Sequence, residues 1–87
     1  MTTTPNLANE IGLLLREIRL RAGFALPGAL AKQLGITPMT VRRIEGGVAG
    51  VNAKNLQAWM TACGVTWVVR RSTDEWTITM RRVEPPA

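Results

Sequence analysis

The sequence predicts a mostly α-helical domain that ends in a β-hairpin. Apolar residues recur at spacings of three and four as far as Gly64, which is the period of amphipathic helices. From Val65 onward apolar and polar residues alternate, which is the period of a strand. Because the chain has only 87 residues, we expect one small unit and exclude a two-domain enzyme. We expect four to five helices in residues 1–64, a hairpin in residues 65–83 and a disordered tail in residues 84–87.

The first helix is predicted from about Leu7 to Ala22. Thr4 offers an N-cap that is followed by Pro5 in the first turn, and Gly23 ends the helix. Its inward face is expected to consist of Leu7, Ile11, Leu14, Leu15, Ile18 and Ala22.

The second helix is predicted over residues 27–34 and the third over residues 37–45. A proline stands in the first turn of each, Thr37 caps the third, and Gly35 and Gly46-Gly47 end them. The second and third helices are therefore joined by a short turn that contains glycine. Their inward residues are expected to be Leu30, Ala31, Leu34, Val41 and Ile44.

A fourth helix is predicted from Asn52, which can cap it, to Gly64, which closes it. It follows a loop that holds three of the eight glycines of the chain. Its buried stripe is expected to consist of Leu56, Trp59, Met60 and Cys63, so Trp59 is predicted to belong to the core.

Two strands are predicted around a polar loop over residues 72–75. A lone hairpin is only marginally stable in water and exposes an edge, so it needs something to pack or pair against. We expect a second copy of the chain to supply this through a sheet shared across a two-fold axis; a hairpin folded back on its own helices is the alternative. The expected dimerisation residues are Trp67, Val69, Trp76, Ile78 and Met80.

The charge of the chain predicts an anionic partner. The formal net charge is +5 and the sequence pI is about 11.2. Nine of the eleven positive residues are arginine, whose planar fork of donors suits phosphates and guanine edges. We therefore favour nucleic-acid binding over mere solubility as the role of these charges.

The residue types that are missing exclude most catalytic classes. The sequence has no His, no Tyr and one Cys, so no Ser-His-Asp triad, Cys-His dyad or zinc cluster can form. We therefore expect no enzyme activity, no cofactor and no metal.

Without an intramolecular disulfide, a signal peptide or an apolar run of about 20 residues, the chain is expected to be cytoplasmic, associated with the nucleoid, and not bound to a membrane.

One stretch carries a specific motif: Leu30-Ala31-x-x-Leu34-Gly35-Ile36-Thr37-x-x-Thr40-Val41-x-Arg43-Ile44-Glu45-x-Gly47. It resembles the Xre or lambda-repressor-like helix-turn-helix family, whose usual pattern is L-A-x-x-L-G-[IV]-[ST]-x-x-T-[IV]-S-x-I-E-x-G. The resemblance extends over residues 11–65. Two positions depart from the family: Leu26-Pro27 replace the usual Ser/Thr-Gln, and Arg42 replaces a small polar residue.

The resemblance implies that the third helix enters the major groove of DNA. The base-reading residues would be Pro38, Met39, Arg42 and Arg43, with Arg43 first because bidentate contact from arginine to guanine is the commonest specific one. Backbone phosphates would be held by Thr37, Thr40, Asn52 and Lys54. The resemblance also implies a structural ion pair between Arg19 and Glu45; a solvated helix face is the alternative role for Arg42 and Arg43.

The resemblance implies a transcriptional repressor of the small kind found on plasmids, phages and bacterial chromosomes. It would bind a palindromic operator in double-stranded DNA as a homodimer and block access to a promoter. The alternative is an antitoxin that binds DNA for autoregulation and a toxin protein as its main partner, and a co-repressor protein is a further partner to consider. An adaptor that uses the fold without DNA is disfavoured by the basic third helix.

Overall fold

The computed structural model describes residues 6–83, which form four helices and one hairpin. The mostly helical fold with a C-terminal hairpin that the sequence predicts is confirmed. The predicted disordered tail, residues 84–87, lies outside the described residues. The elements are α1 (Leu7–Arg21), α2 (Pro27–Leu34), α3 (Pro38–Glu45), α4 (Ala53–Ala62), β1 (Val65–Arg71) and β2 (Trp76–Arg82).

Helix α1 begins with a cap that the sequence prediction missed. The cap is Asn6, whose side chain accepts a hydrogen bond from the backbone N–H of Asn9 at 3.2 Å. The predicted cap Thr4 and the proline after it lie outside the described residues. Asn6 has extended backbone angles and the helix starts at Leu7, so Asn6 is the N-cap of this helix.

The buried face of α1 also differs from the prediction. Leu7, Leu14 and Ala22 are exposed, whereas Gly12 and Arg19 are buried together with Leu15. The buried stripe is rotated because α1 packs against α3 through a glycine and an arginine, which apolar periodicity does not count as core residues. The predicted Ile11 and Ile18 are half-buried and pack at its edge.

The core lies between the four helices. The largest fully buried side chains are Leu15, Leu30, Val41 and Trp59, one from each helix. The indole N–H of Trp59 donates to the carbonyl oxygen of Leu15 at 3.2 Å, so this large side chain is buried with its polar atom satisfied. Each helix is therefore tied to the others through one apolar centre.

The hairpin is antiparallel and pairs Val65 with Arg82 at its base and Arg71 with Trp76 at its tip. Its base is held by a backbone hydrogen bond from Val83 to Gly64 at 2.7 Å and by an Arg82 guanidinium bond to the carbonyl oxygen of Arg21 at 3.3 Å. Apart from Val65 and Met80, which are half-buried, its side chains are exposed. The hairpin is thus not folded back over the helices beyond its base.

The two faces of the hairpin differ in chemistry. We call the apolar hairpin face the side that carries the five predicted dimerisation residues, which the register places together: Trp67, Val69, Trp76, Ile78 and Met80. The opposite face carries Thr66, Val68, Arg70, Thr77, Thr79 and Arg81. Among residues 6–83, no helix has the length and apolarity needed to cross a membrane.

Candidate nucleic-acid interface

Helices α2 and α3 are joined by a turn that glycine makes feasible. Gly35 has φ of 70°, in the left-handed region, and its N–H closes the end of α2 on the carbonyl oxygen of Ala31. Ile36 donates to the same carbonyl at 3.1 Å. The backbone then turns at Thr37 and begins α3 after only three residues. The result is a pair of short helices in contact.

Helix α3 buries one side and exposes the other. Val41, Ile44 and Glu45 are buried against α1 and α2. At about 100° per residue, Met39 lies opposite the middle of this buried side, and Arg42 and Arg43 flank it. The exposed side therefore consists of one apolar and two guanidinium side chains, with Pro38 at its edge. Neither arginine has an ion-pair partner within the described part of the chain.

The threonines at the start of α3 hold its first turn. The Thr37 hydroxyl accepts from the backbone N–H of Thr40 at 3.1 Å, and the two hydroxyls lie 2.8 Å apart in a hydrogen bond. Thr37 is exposed and Thr40 is half-buried. Both hydroxyls thus serve the N-cap of the helix, and each retains hydrogen-bonding capacity for an oxygen outside the chain.

Asn52 and Lys54 lie at the start of α4. The Asn52 side-chain oxygen accepts from the N–H of Asn55 at 2.7 Å, which leaves its amide N–H groups free to donate outward. Lys54 is exposed in the first turn of the helix, where the helix dipole disfavours a cation. A positive charge in this place does nothing for the helix itself, so it is available to an anion.

The orientation of α3 is fixed by a buried ion pair at its C-terminal end. Arg19 of α1 donates through Nε to Glu45 Oε2 at 2.6 Å and through Nη2 to Oε1 at 3.1 Å. Its third contact is to the carbonyl oxygen of Phe24 at 2.6 Å. Gly12 lets the two helices approach, because a β-carbon there would lie 2.7 Å from the carbonyl oxygen of Glu45. The exposed side of α3 is thereby presented at one fixed angle.

Sequence reasoning placed no contact on α2, and the structure brings two of its residues near the predicted site. Gly28, in the first turn of α2, lies next to the Pro38 ring, and the Leu26 that caps α2 makes no side-chain cap hydrogen bond. Gln33 shares a shallow groove with Lys54. Sequence reasoning could hardly have found Gly28 and Gln33, because a glycine and a glutamine on a short helix have many roles other than DNA binding.

The described residues hold little other chemistry. They contain no group of three or more His, Cys, Asp or Glu side chains that could hold a metal ion. Burial raises the pKa of the Cys63 thiol to about 11, while the nearby Arg19 opposes and Glu45 reinforces this shift. The thiol therefore stays protonated near neutral pH and is a poor nucleophile.

Comparison with known proteins gives one match. The family described as a helix-turn-helix domain matches residues 10–72, a stretch that takes in most of α1, the α2–turn–α3 unit, α4 and β1. No curated protein and no solved structure matches the chain.

Proposed function

The chain belongs to the helix-turn-helix domain family, and from this premise we propose that it is a sequence-specific DNA-binding transcriptional repressor of the Xre or lambda-repressor-like kind. The observation that carries the proposal is the exposed side of α3, where Met39 is flanked by two arginines that pair with no acidic side chain of residues 6–83. The major groove of duplex DNA admits an α-helix, and the positive charge of this side of α3 suits the phosphates that flank the groove.

In this proposal α3 enters the major groove and reads bases. Arg43 contacts a guanine edge in bidentate fashion, and Arg42 makes a second contact. Met39 and Pro38 lie against thymine methyl groups. Backbone contacts come from the hydroxyls of Thr37 and Thr40 and from the start of α4, where Asn52 donates its amide and Lys54 supplies a charge.

The repressor acts as a homodimer on a palindromic operator. The apolar hairpin face leaves roughly 500 Å² of surface exposed on each chain, against about 800 Å² per partner in an interface of standard size. A soluble chain with such a surface is suited to bind a second copy, and the shared sheet predicted from the sequence stays the expected arrangement. Repression follows from occupying an operator that overlaps a promoter, in nucleoid DNA of a bacterium, plasmid or phage.

The first test concerns base reading. An operator is selected from random duplexes with the purified protein, and its binding is compared with that of random DNA. For Arg43→Ala we expect discrimination between the two to fall by about 1–3 kcal/mol per contacted base pair, because the bidentate contact to guanine is lost. Arg16→Ala, which removes an exposed arginine of α1, is the matched control and should leave discrimination unchanged. Unchanged specificity in Arg43→Ala would contradict the role of this residue.

The second test concerns phosphate contact. Lys54→Ala should weaken binding to operator and random DNA alike, because a phosphate contact carries no sequence information. The slope of log K against log salt should become shallower by about 1 for each chain bound. A variant that instead changes the selected sequence with the same salt slope would assign Lys54 to bases.

The antitoxin alternative shares the DNA-binding part of this proposal. It differs in the occupant of the exposed hairpin surface, which would be a toxin or another protein rather than a second copy. Whether a neighbouring gene encodes a toxin separates the two functions. No contact within residues 6–83 favours the antitoxin over the repressor.

A further inference from the structure

A groove lies between α1 and the base of the hairpin. Its volume of about 300 Å³ is at the lower end of the range for small-molecule sites. Half-buried side chains from α1, the end of α4 and both strands form its floor: Ile18, Cys63, Val65 and Met80. Exposed side chains form its rim: Leu14, Glu17, Arg21, Ala22, Arg81 and Arg82. We call this site the α1–hairpin groove.

The floor of the groove is apolar and uncharged. Three of its four side chains are hydrocarbon or thioether, and the fourth is the thiol of Cys63. Burial raises the pKa of this thiol to about 11, so it stays protonated near neutral pH. Such side chains offer few hydrogen-bond partners to the hydroxyls of a sugar or the edges of a base, and burial of unpaired polar groups is unfavourable. The floor therefore suits an apolar chain or ring.

The rim of the groove carries an excess of positive charge. Arg21 Nη2 lies 2.8 Å from Glu17 Oε1, so these two charges offset each other. Arg81 and Arg82 pair with no acidic side chain of residues 6–83. Arg82 Nη2 donates to the carbonyl oxygen of Arg21 at 3.3 Å, which satisfies the C-terminal end of α1, and its other N–H groups remain for a ligand. Two guanidinium groups are thus available beside an apolar floor.

Neither part of the groove selects a ligand by itself. Exposed guanidinium groups bind a small inorganic anion only weakly, because water and salt screen the charge. The floor is open on one side, so it removes only part of an apolar molecule from water. A molecule that contacts both parts gains from each of them, and it loses its translational freedom only once.

We propose that the α1–hairpin groove binds a small amphipathic carboxylate, whose apolar chain or ring lies on the floor and whose carboxylate is held by Arg81 and Arg82. A planar guanidinium matches a carboxylate through parallel N–H···O bonds, which a neutral head group does not accept in the same way. Binding in this groove requires neither DNA nor a second copy of the chain, so it goes beyond the proposed function.

The first experiment compares head groups. Isothermal titration calorimetry of the full chain uses octanoate, octanol and acetate below the concentrations at which they aggregate. Octanoate should bind at least about tenfold more tightly than octanol, which lacks the charge, and than acetate, which lacks the chain. Equal affinity for octanoate and octanol would overturn the role of the arginines. Equal affinity for octanoate and acetate would overturn the role of the floor.

The second experiment removes the charges of the rim. Arg81→Gln and Arg82→Gln should each weaken octanoate binding about threefold, and the two together about tenfold, with octanol binding unaffected. The glutamine that replaces Arg82 keeps an N–H that can donate to the carbonyl oxygen of Arg21, so the base of the hairpin is retained. Arg70→Gln is the matched control, because Arg70 is exposed on the hairpin and lies outside the groove. It should leave octanoate binding unchanged, and circular dichroism confirms that the variants are folded.

The third experiment shortens an apolar side chain of the rim. Leu14→Ala should weaken octanoate and octanol by the same factor, about threefold, because the chain of either probe loses a contact. Leu13→Ala is the matched control, since Leu13 is the neighbouring exposed leucine of α1 and lies outside the groove. A loss in Leu13→Ala as large as in Leu14→Ala would place the probe elsewhere on α1 and overturn the site.

The outcomes for the groove are independent of those for the proposed function. A chain that binds octanoate as expected but binds no operator supports the groove and removes the repressor. A chain that binds operator, but whose octanoate binding is the same in the Arg81, Arg82 and Leu14 variants, overturns the groove and leaves the repressor proposal intact.

Discussion

Arg19 connects α1 to the C-terminal end of α3 through Glu45. Its guanidinium makes three hydrogen bonds, two to Glu45 and one to the carbonyl oxygen of Phe24, and only 4% of the residue is exposed. A buried ion pair contributes little more than an apolar pair would, because both charges are taken out of water. Removal of one partner is different, since the other charge then stays buried without compensation.

We expect Glu45→Gln to lower the free energy of unfolding by about 3–5 kcal/mol, because the Arg19 charge loses its counter-ion. Urea denaturation measures this. Glu17→Gln is the control: it breaks the exposed pair with Arg21 at 2.8 Å and should cost less than about 1 kcal/mol. Replacement of both buried partners, Arg19→Met with Glu45→Leu, should recover most of the loss. If Glu45→Gln costs no more than Glu17→Gln, the buried pair does not hold α3.

At the scale of elements, the helices share a buried core and the hairpin does not contribute to it. The buried core is made of residues from α1 to α4, from Leu15 to Trp59, and contains no strand residue. At its base the hairpin is held by Arg82, which donates to the carbonyl oxygen of Arg21 in α1, and by Val83, whose N–H donates to the carbonyl oxygen of Gly64 just after α4. The helices can therefore keep their core without the strands, whereas the strands have little to pack against within one chain.

This difference predicts the behaviour of a chain that ends at Gly64. We expect it to retain its helical circular dichroism and a cooperative thermal transition, because no buried core residue is lost. We also expect it to sediment as a monomer, since the apolar hairpin face is gone. A shortened chain that remains dimeric would show that the hairpin is not the interface. A chain that unfolds would show that the base contacts of the hairpin hold α1 in place.

At the scale of the whole molecule, the proposed recognition of an operator by a homodimer depends on the distance between the two copies of α3. The half-sites of the operator must then be spaced to match that distance. Helix-turn-helix dimers generally place their recognition helices about 34–36 Å apart, which is one turn of DNA. The net charge of +5 then acts mainly on the rate and salt dependence of binding.

We expect insertion of 5 bp between the half-sites of the selected operator to reduce affinity to the level of a single half-site, because it rotates one half-site by about half a turn. Electrophoretic mobility shift with the full chain measures this. A duplex with 5 bp inserted outside both half-sites is the control and should bind as the parent does. Equal affinity for the spaced and parent operators would mean that the two α3 helices bind independently.

Much of the fold could be predicted from the sequence, because local signals and the tertiary structure agree there. Thr37 and Asn52 cap their helices, and Gly35 adopts the left-handed conformation in the turn between α2 and α3. The alternation after Gly64 gives two strands whose side chains lie on the predicted faces of the hairpin. The candidate DNA-binding residues follow from the same signals, since the motif fixes which side of α3 is apolar and leaves the other for the arginines. These features depend on residues close together in the chain.

Only the tertiary structure decided the features that depend on distant residues. The sequence assigned Leu7, Leu14 and Ala22 to the core, whereas the crossing of α1 over α3 at Gly12 turns them to the surface. No periodicity predicts the groove between α1 and the hairpin, because its walls come from segments about 50 residues apart. The sequence by itself determined the helices, the strands and the chemistry of each face, because these depend on residues close together in the chain. Packing between distant segments decided which of those faces are covered and which remain exposed.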